Sequence, residues 1–169
     1  MDFFLRIILY IMPLYIANSS AMLLGGKTAL DFGKKFSDGK EIFGKGKTWK
    51  GAVFGIIAGT TTAFFVTLIV PEQTAAMSAN YMLFGFLLSA GAIFGDLAGS
   101  FLKRRLSIAR GEPVLLLDQL DFIAGGLLLG GLMIAPAIEE IIFIIVITLM
   151  AHKLSNYIAF KIKLKKVPW

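Results

Sequence analysis

The chain of 169 residues is 57% hydrophobic and 17% charged, and its mean hydropathy is +0.78. This composition is too apolar for a soluble domain of that length, so we predict an integral membrane protein. There is no cysteine, which excludes disulfides and thiolate-bound metals. The net charge of +6 would suit nucleic acid, but in membrane proteins an excess of Lys and Arg usually records topology, so we expect no nucleic-acid partner.

Five apolar segments are each close to the roughly 20 residues that a helix needs to cross a bilayer. In chain order they lie at 3–24, 51–70, 81–103, 114–135 and 138–160. We therefore predict an all-α, polytopic membrane protein with five transmembrane helices, forming a single domain over residues 1–169. The connections at 71–80 and 136–137 are too short to hold a domain, so the chemistry must belong to the other two connections.

The basic residues indicate the orientation of these helices. All of them except Arg6 fall in the first connection (25–50), in the third (103–113) or in the last part of the chain, from Lys153 onward. In the five-helix arrangement these three regions share one side of the membrane, and the positive-inside rule assigns that side to the cytoplasm. We expect a multi-pass protein of the cell membrane with its N-terminus outside and an active site formed by the two cytoplasmic loops.

Small residues recur at every fourth position in the second, third and fourth segments. They are Gly51, Gly55 and Gly59, then Gly91, Gly95 and Gly99, then Gly126 and Gly130. Such stripes let helix backbones approach closely in lipid. We predict a tight bundle of these three segments, with the first and fifth segments at its periphery.

Three aspartates lie inside predicted membrane helices, near their basic ends. Asp96 precedes Arg104 by about 12 Å of helix rise, and Asp118 and Asp121 share one face of the fourth segment. Hydration at the interface or pairing with Lys103 or Arg104 would explain a single acid of this kind. Three carboxylates at one depth also suit Mg²⁺, which prefers hard oxygen ligands. Ionisable residues inside a membrane indicate function by default.

The first connection is rich in both glycine and lysine, and two interpretations of it remain open. Its end, GKGKTWKG (44–51), is not a phosphate-binding P-loop, because Glu41 stands where the first glycine belongs and no strand is predicted before it. The loop could lie against anionic lipid headgroups, with Trp49 as an interfacial anchor. Alternatively it could bind a polyphosphate, since glycine lets backbone amides approach an anion and lysine adds charge.

Several of these motifs resemble those of a known enzyme family. The runs SFLKRR (100–105) and DQLDF (118–122) resemble the signature of the CTP:phosphatidate cytidylyltransferase family. The resemblance is closer to its short archaeal branch, with DGK at 38–40, GKGKTWKG at 44–51, GD at 95–96 and RGEP at 110–113. It spans the whole chain. Two elements of the broader family, Lys-Asp and His-Gly-Gly, are missing, and Gln119 replaces an arginine.

The resemblance implies a reaction in which CMP passes from CTP to a membrane lipid phosphate and pyrophosphate leaves. In the archaeal branch the lipid is 2,3-bis-O-(geranylgeranyl)-sn-glycerol 1-phosphate and the cofactor is Mg²⁺. The implied catalytic residues are Asp96, Lys103, Asp118 and Asp121, of which the three aspartates would bind the metal. The implied nucleotide- and phosphate-binding residues are Gly46, Lys47, Thr48, Lys50, Ser100 and Arg104.

Other functions and features give further expectations. A small cation transporter or channel subunit is the main alternative, although its acids would be expected at mid-membrane rather than at one face. His152, the only histidine, is interpreted as a packing or interface residue, because a lone histidine offers no ligand cluster. The basic tail at 161–169 is expected to bind anionic headgroups.

Overall fold

The computed structural model describes residues 1–112, 114 and 116–163, and within them it contains helices and loops but no strand. The helices are α1 (Phe3–Leu23), α2 (Trp49–Ile69), α3 (Pro71–Met77), α4 (Tyr81–Arg105), α5 (Leu117–Gly130) and α6 (Ile138–Lys161). Pro113, the last residue of the RGEP motif, lies outside the described residues. So does most of the tail that was expected to bind headgroups.

Within the described residues, four helices are long and apolar enough to cross a membrane: α1, α2, α4 and α6. The fold is therefore all-α and multi-pass. The fourth predicted segment forms α5, which covers 14 residues rather than 114–135. Leu116 has a φ of +71°, outside the right-handed helical region, so the helix begins only at Leu117. At about 1.5 Å per residue α5 rises roughly 21 Å, less than the hydrocarbon thickness, and five spans remain a prediction.

The glycine stripe of α4 packs directly against α5. A Cβ atom on Gly91 would lie 2.3 Å from the carbonyl oxygen of Gly125, and one on Gly95 would lie 2.1 Å from that of Asp121. Real Cβ atoms do not approach backbone so closely, so these two helices touch through their backbones. The predicted tight packing is confirmed for this pair.

The stripe of α2 faces a different partner, and the predicted peripheral position of the first helix is wrong. A Cβ on Gly59 would lie 2.4 Å from the carbonyl oxygen of Pro13, and one on Gly55 would lie 2.8 Å from that of Ala17. α1 is thus a central helix, and Leu14 is fully buried. In such a contact the sequence marks only the helix that carries the glycines. The partner helix contributes ordinary backbone, which needs no distinctive residue.

Few contacts hold α6, which lies at the periphery as predicted. Arg6 Nε is 2.5 Å from Glu140 Oε1 at the end of the bundle where α6 begins. Nearer the middle, the Tyr15 hydroxyl is 2.6 Å from Thr148 Oγ1, whose own hydroxyl donates to the carbonyl of Ile144. These contacts join α6 to α1 over the first part of its length.

Both loops that were predicted to be cytoplasmic meet at one end of the bundle, which we call the basic end. Arg105 at the end of α4 donates to Asp38 Oδ1 at 2.8 Å, and Lys40 Nζ donates to the Arg105 carbonyl at 2.9 Å. Arg110 Nε donates to Glu41 Oε2 at 2.7 Å. The loops at 24–48 and 106–112 therefore form one layer at this end of the bundle.

Candidate active site

A cleft of about 1270 Å³ opens at the basic end, between α1, α2, α4, α5 and α6. Much of its wall is apolar, as expected for a cleft within a membrane bundle. Gly46 lines the cleft, together with the charged and polar residues Lys47, Thr48, Asp96, Asp118 and Gln119. The cleft therefore unites the end of the first loop with the acids of α4 and α5.

The N-terminus of α2 forms one wall of this cleft. Thr48 is the N-cap residue, and its hydroxyl oxygen accepts hydrogen bonds from the Gly51 N–H at 3.1 Å and the Gly26 N–H at 3.0 Å. This cap fixes Gly46 and Lys47 immediately before the first turn of a 21-residue helix. The Trp49 N–H also has a partner, the Thr28 carbonyl at 3.1 Å. The N-terminal end of this helix still attracts anions, because the helix dipole is positive there.

Lys47 and Asp96 form an ion pair across the cleft. Lys47 Nζ lies 2.6 Å from both carboxylate oxygens of Asp96, which is on α4. The two side chains are only 29% and 23% exposed. This contact explains how Asp96 is tolerated within a membrane helix, because a lysine from the loop compensates its charge.

Asp121 lies beside this pair, between α4 and α5, and is not part of the cleft wall. A Cβ on Gly99 would lie 2.3 Å from Asp121 Oδ2, so the missing side chain of Gly99 makes room for this carboxylate. Its other carboxylate oxygen accepts from the Phe122 N–H at 2.7 Å. Asp121 is within electrostatic range of Asp96, Lys47 and Lys103.

Asp118 lines the cleft but is held by two other groups. Lys103 Nζ on α4 donates to Asp118 Oδ1, and the Val114 N–H donates to Asp118 Oδ2 at 3.0 Å. Lys103 itself is 16% exposed and lies behind the wall. Asp118 thus fastens the start of α5 to α4 and closes the turn that precedes the helix.

The arrangement fits a divalent cation in part. Among the described residues, no three Asp, Glu or His side chains converge closely enough to hold a metal by themselves. However, Asp96 in the cleft and Asp121 between α4 and α5 are carboxylates, which are hard oxygen donors, on two helices that touch. Mg²⁺ is usually bound by one or two carboxylates together with substrate phosphates, rather than by an all-protein cage. The donor set therefore suits an ion that arrives with a nucleotide.

Three of the predicted phosphate-binding residues lie outside the cleft wall. Lys50 is on the exposed side of α2, with Nζ 5.8 Å from the centre of the Phe54 ring. Ser100 is only 3% exposed. Arg104 is half-buried, and its Nε makes no hydrogen bond within the described part of the chain. The family resemblance suggested these residues, but their side chains do not line the cleft.

Sequence reasoning missed the polar residues that α1 and α6 contribute to the cleft. They are Tyr15, Asn18 and Ser19 on α1 and His152, Ser155 and Asn156 on α6. The His152 ring packs 6.0 Å from that of Phe122, which agrees with its expected packing role, although it also lines the cleft. A detectable signal was present, because 152, 155 and 156 share one face of a helix that is otherwise largely apolar.

Long apolar helices surround a cleft that holds several charged residues. The chain is therefore a multi-pass membrane protein with a charged site at one end of its bundle. Over residues 1–169 it matches the family model described as CarS-like: CDP-archaeol synthase. The chain belongs to the CDP-archaeol synthase family and is a cytidylyltransferase that acts on a lipid. This result favours an enzyme over the alternative of a cation transporter.

Individual relatives agree with this assignment. The CDP-archaeol synthase of Methanocaldococcus jannaschii is 42% identical over 166 residues, covering 95% of this chain and 94% of the relative. That of Pyrococcus abyssi is 44% identical over 160 residues, with 95% of each chain covered. A solved structure, described as an intramembrane enzyme for archaeal membrane lipids biosynthesis, has a TM-score of 0.80 and 33% identity. It covers 88% of this chain and 91% of its own.

Proposed function

We propose that this protein transfers CMP from CTP to 2,3-bis-O-(geranylgeranyl)-sn-glycerol 1-phosphate, forming the CDP-lipid and pyrophosphate with Mg²⁺ as cofactor. Family membership supports the class of reaction and of lipid. The observation that carries the site is the Lys47–Asp96 pair at the N-terminus of α2. It brings together a cation for phosphates, a positive helix end and a carboxylate for a metal in one cleft.

The triphosphate of CTP would bind at the N-terminus of α2. Backbone N–H groups at Gly46 and Thr48, just before the helix, and the ammonium of Lys47 would contact its oxygens, because the positive end of the helix dipole and a cation both attract anions. Asp96 and Asp121 would hold Mg²⁺, which when bound supplies positive charge to the triphosphate and its leaving group. Lys103 would keep Asp118 in place and add positive charge behind the wall.

The reaction then needs position and charge rather than a general base. An ionised oxygen of the lipid phosphate attacks the α-phosphorus, a new P–O bond forms, and the bond between the α-phosphorus and the bridging oxygen breaks. Pyrophosphate leaves with that electron pair. A lipid phosphate is already a nucleophile at neutral pH, so the contribution of the protein is to align the two reactants and to stabilise the developing charge.

The site would face the cytoplasm, at the inner surface of the cell membrane. The basic residues of both loops at the basic end support this orientation by the positive-inside rule. Five spans with the N-terminus outside follow if α5 and its flanking residues cross the bilayer together. A cleft at that depth would receive CTP from the water and the lipid phosphate from the headgroup layer.

The direct test is incorporation of labelled CTP by the purified protein in detergent. The reactions contain Mg²⁺ and either the geranylgeranyl ether phosphate or a diacyl phosphatidic acid. We expect labelled lipid from the ether substrate, complete loss of label with a chelator, and recovery when Mg²⁺ is restored. Absence of label from a folded protein with either lipid would refute the proposal, and label that survives chelation would refute the role of the metal.

Asp96→Asn tests the residue at the centre of the site. It keeps the size of the side chain but removes the charge that would hold the cation, so we expect activity to fall and the Mg²⁺ concentration needed for half-maximal rate to rise. Full Mg²⁺-dependent activity in Asp96→Asn would contradict its assignment.

A further inference from the structure

One part of the first loop plays no role in the proposed reaction: a tight turn over residues 29–34, here called the Phe32 turn. The Phe32 N–H donates to the Ala29 carbonyl at 3.1 Å, and the Lys34 N–H donates to the Asp31 carbonyl at 2.8 Å. Phe32 has a φ of +50° and is 65% exposed. A bulky residue in the left-handed region is unusual, and here the backbone holds an aromatic ring outside the protein.

Asp31 is the residue that fixes this turn. Its carboxylate accepts hydrogen bonds from the N–H groups of Gly33 at 2.9 Å and of Phe43 and Gly44 at 3.0 Å each. Asp31 is only 6% exposed. The position of Phe32 is therefore set by a buried network that ties together both halves of the loop, and the exposed ring does not result from a loose segment.

The Phe32 ring lies beside a residue at the edge of the membrane. Its centroid is 6.2 Å from that of Trp49, the first residue of the membrane-spanning helix α2. Trp49, Val53 and Ile57 form an exposed stripe along this helix, 47%, 47% and 52% exposed. Because this stripe faces lipid, Trp49 marks the boundary between hydrocarbon and headgroups, where aromatic residues concentrate. Phe32 lies at the same level.

The loop that carries Phe32 also carries exposed positive charge. Lys27, Lys34, Lys35 and Lys45 are all exposed. The acids of the loop do not cancel this charge at the surface, because Asp31 is buried in its turn while Asp38 and Glu41 pair with Arg105 and Arg110 on the opposite side. Apolar rings flanked by lysines are the pattern by which a peripheral segment binds an anionic lipid surface.

We propose that the Phe32 turn docks onto the anionic surface of the bilayer, with the rings of Phe32 and Trp49 at the acyl boundary and the lysines on headgroups. The loop then contacts two surfaces: its end at 46–48 lies at the cleft, and the Phe32 turn binds the membrane. This keeps the cleft at headgroup depth. Neither the nucleotide nor the metal takes part in this docking.

Fluorescence quenching in lipid measures the depth of such a ring directly. The chain has two tryptophans, so Trp49→Phe with Trp169→Phe leaves none, and F32W then places a single reporter in the turn. The matched control is F36W in the same background, because Phe36 packs 5.3 Å from Phe101 and under Arg105, within the layer where the two loops meet. Both variants are reconstituted in vesicles containing anionic lipids brominated near the headgroup.

The reference is a Trp169→Phe protein, in which Trp49 is the single tryptophan. We expect the F32W reporter to be quenched about as strongly as Trp49 in that reference, and the F36W reporter to be quenched much less. Thermal melting of each variant confirms that it is folded. If F32W is quenched no more than F36W, the turn lies in water and the proposal is wrong.

A second comparison tests the part played by charge. Quenching of F32W should fall when the substitutions K34Q and K35Q are added. In the F32W protein that keeps both lysines, quenching should also fall when the anionic lipid is replaced by a neutral one. Equal quenching in anionic and neutral vesicles would overturn the assignment of an anionic surface.

Discussion

Lys47 and Lys50 provide a sharp test of the site, because both are lysines near the start of α2 and the structure gives them different surroundings. Lys47 Nζ lies in the cleft on Asp96, while Lys50 Nζ lies over Phe54 on the exposed side of the helix. A charge-assisted hydrogen bond contributes about 1.5–3 kcal/mol. We therefore expect Lys47→Gln to raise the KM for the nucleotide by roughly 10- to 100-fold, since 1.4 kcal/mol corresponds to a factor of ten.

Lys50→Gln is the same chemical change three residues further along the chain, and we expect it to leave the KM for the nucleotide nearly unchanged. Initial rates are measured in detergent at saturating lipid and Mg²⁺, with the nucleotide varied. Similar effects of the two substitutions would show that the loop binds phosphate only through its overall charge. A larger effect of Lys50→Gln would refute the geometry of the cleft.

Two further predictions test the packing behind the site and the fold of the loop. Gly99→Ala would put a Cβ 2.3 Å from Asp121 Oδ2, about 1 Å inside ordinary contact, so we expect roughly 100-fold lower kcat. Gly85→Ala is the control, because its Cβ would meet Ala63 Cβ at 2.2 Å far from the cleft; it should lower the melting temperature without that loss of kcat per folded molecule. Equal loss of kcat in both variants would contradict the role of Asp121. Burial alone would raise the pKa of the Asp31 carboxyl, but the backbone N–H groups of Gly44, Phe43 and Gly33 together outweigh burial and lower that pKa. The ionised carboxylate therefore stabilises the loop above its unfolded pKa of about 4, and this contribution is lost as the pH falls through the lower folded value. We expect Asp31→Asn to speed hydrogen exchange in residues 25–48 at neutral pH, with a difference from the unaltered protein that shrinks below about pH 4; a constant difference at all pH values would count against this reading.

The membrane class and the presence of closely packed helices could be predicted from the sequence alone. Both depend on patterns that are local in the chain: runs of apolar residues with the length of a bilayer, and glycines at every fourth position. The packing of α1 was not predictable in this way. Its partner surface on α2 is marked by Gly55 and Gly59, but nothing in the sequence says which neighbour a glycine stripe faces.

The candidate site shows the same division. Lys47, Asp96 and Asp118 were singled out from the sequence, and all three line the cleft. Lys50, Ser100 and Arg104 had equally suitable chemistry but point elsewhere, because a side chain's direction depends on how its helix is rotated in the bundle. Asn18 and Asn156 were missed for the opposite reason, since polar residues near the ends of apolar helices usually face the headgroups.

By itself, the sequence determined that this chain is a membrane protein with acids at one depth and basic loops on one side, because hydrophobicity and charge act on each residue independently of the fold. The tertiary structure decided which of those charges meet. It placed Lys47 on Asp96 and Lys103 on Asp118, turned Lys50 away from the cleft, and made Asp31 the buried centre of a turn. These outcomes depend on distances of a few ångströms between segments that are far apart in the chain, and such distances are fixed only when the helices pack.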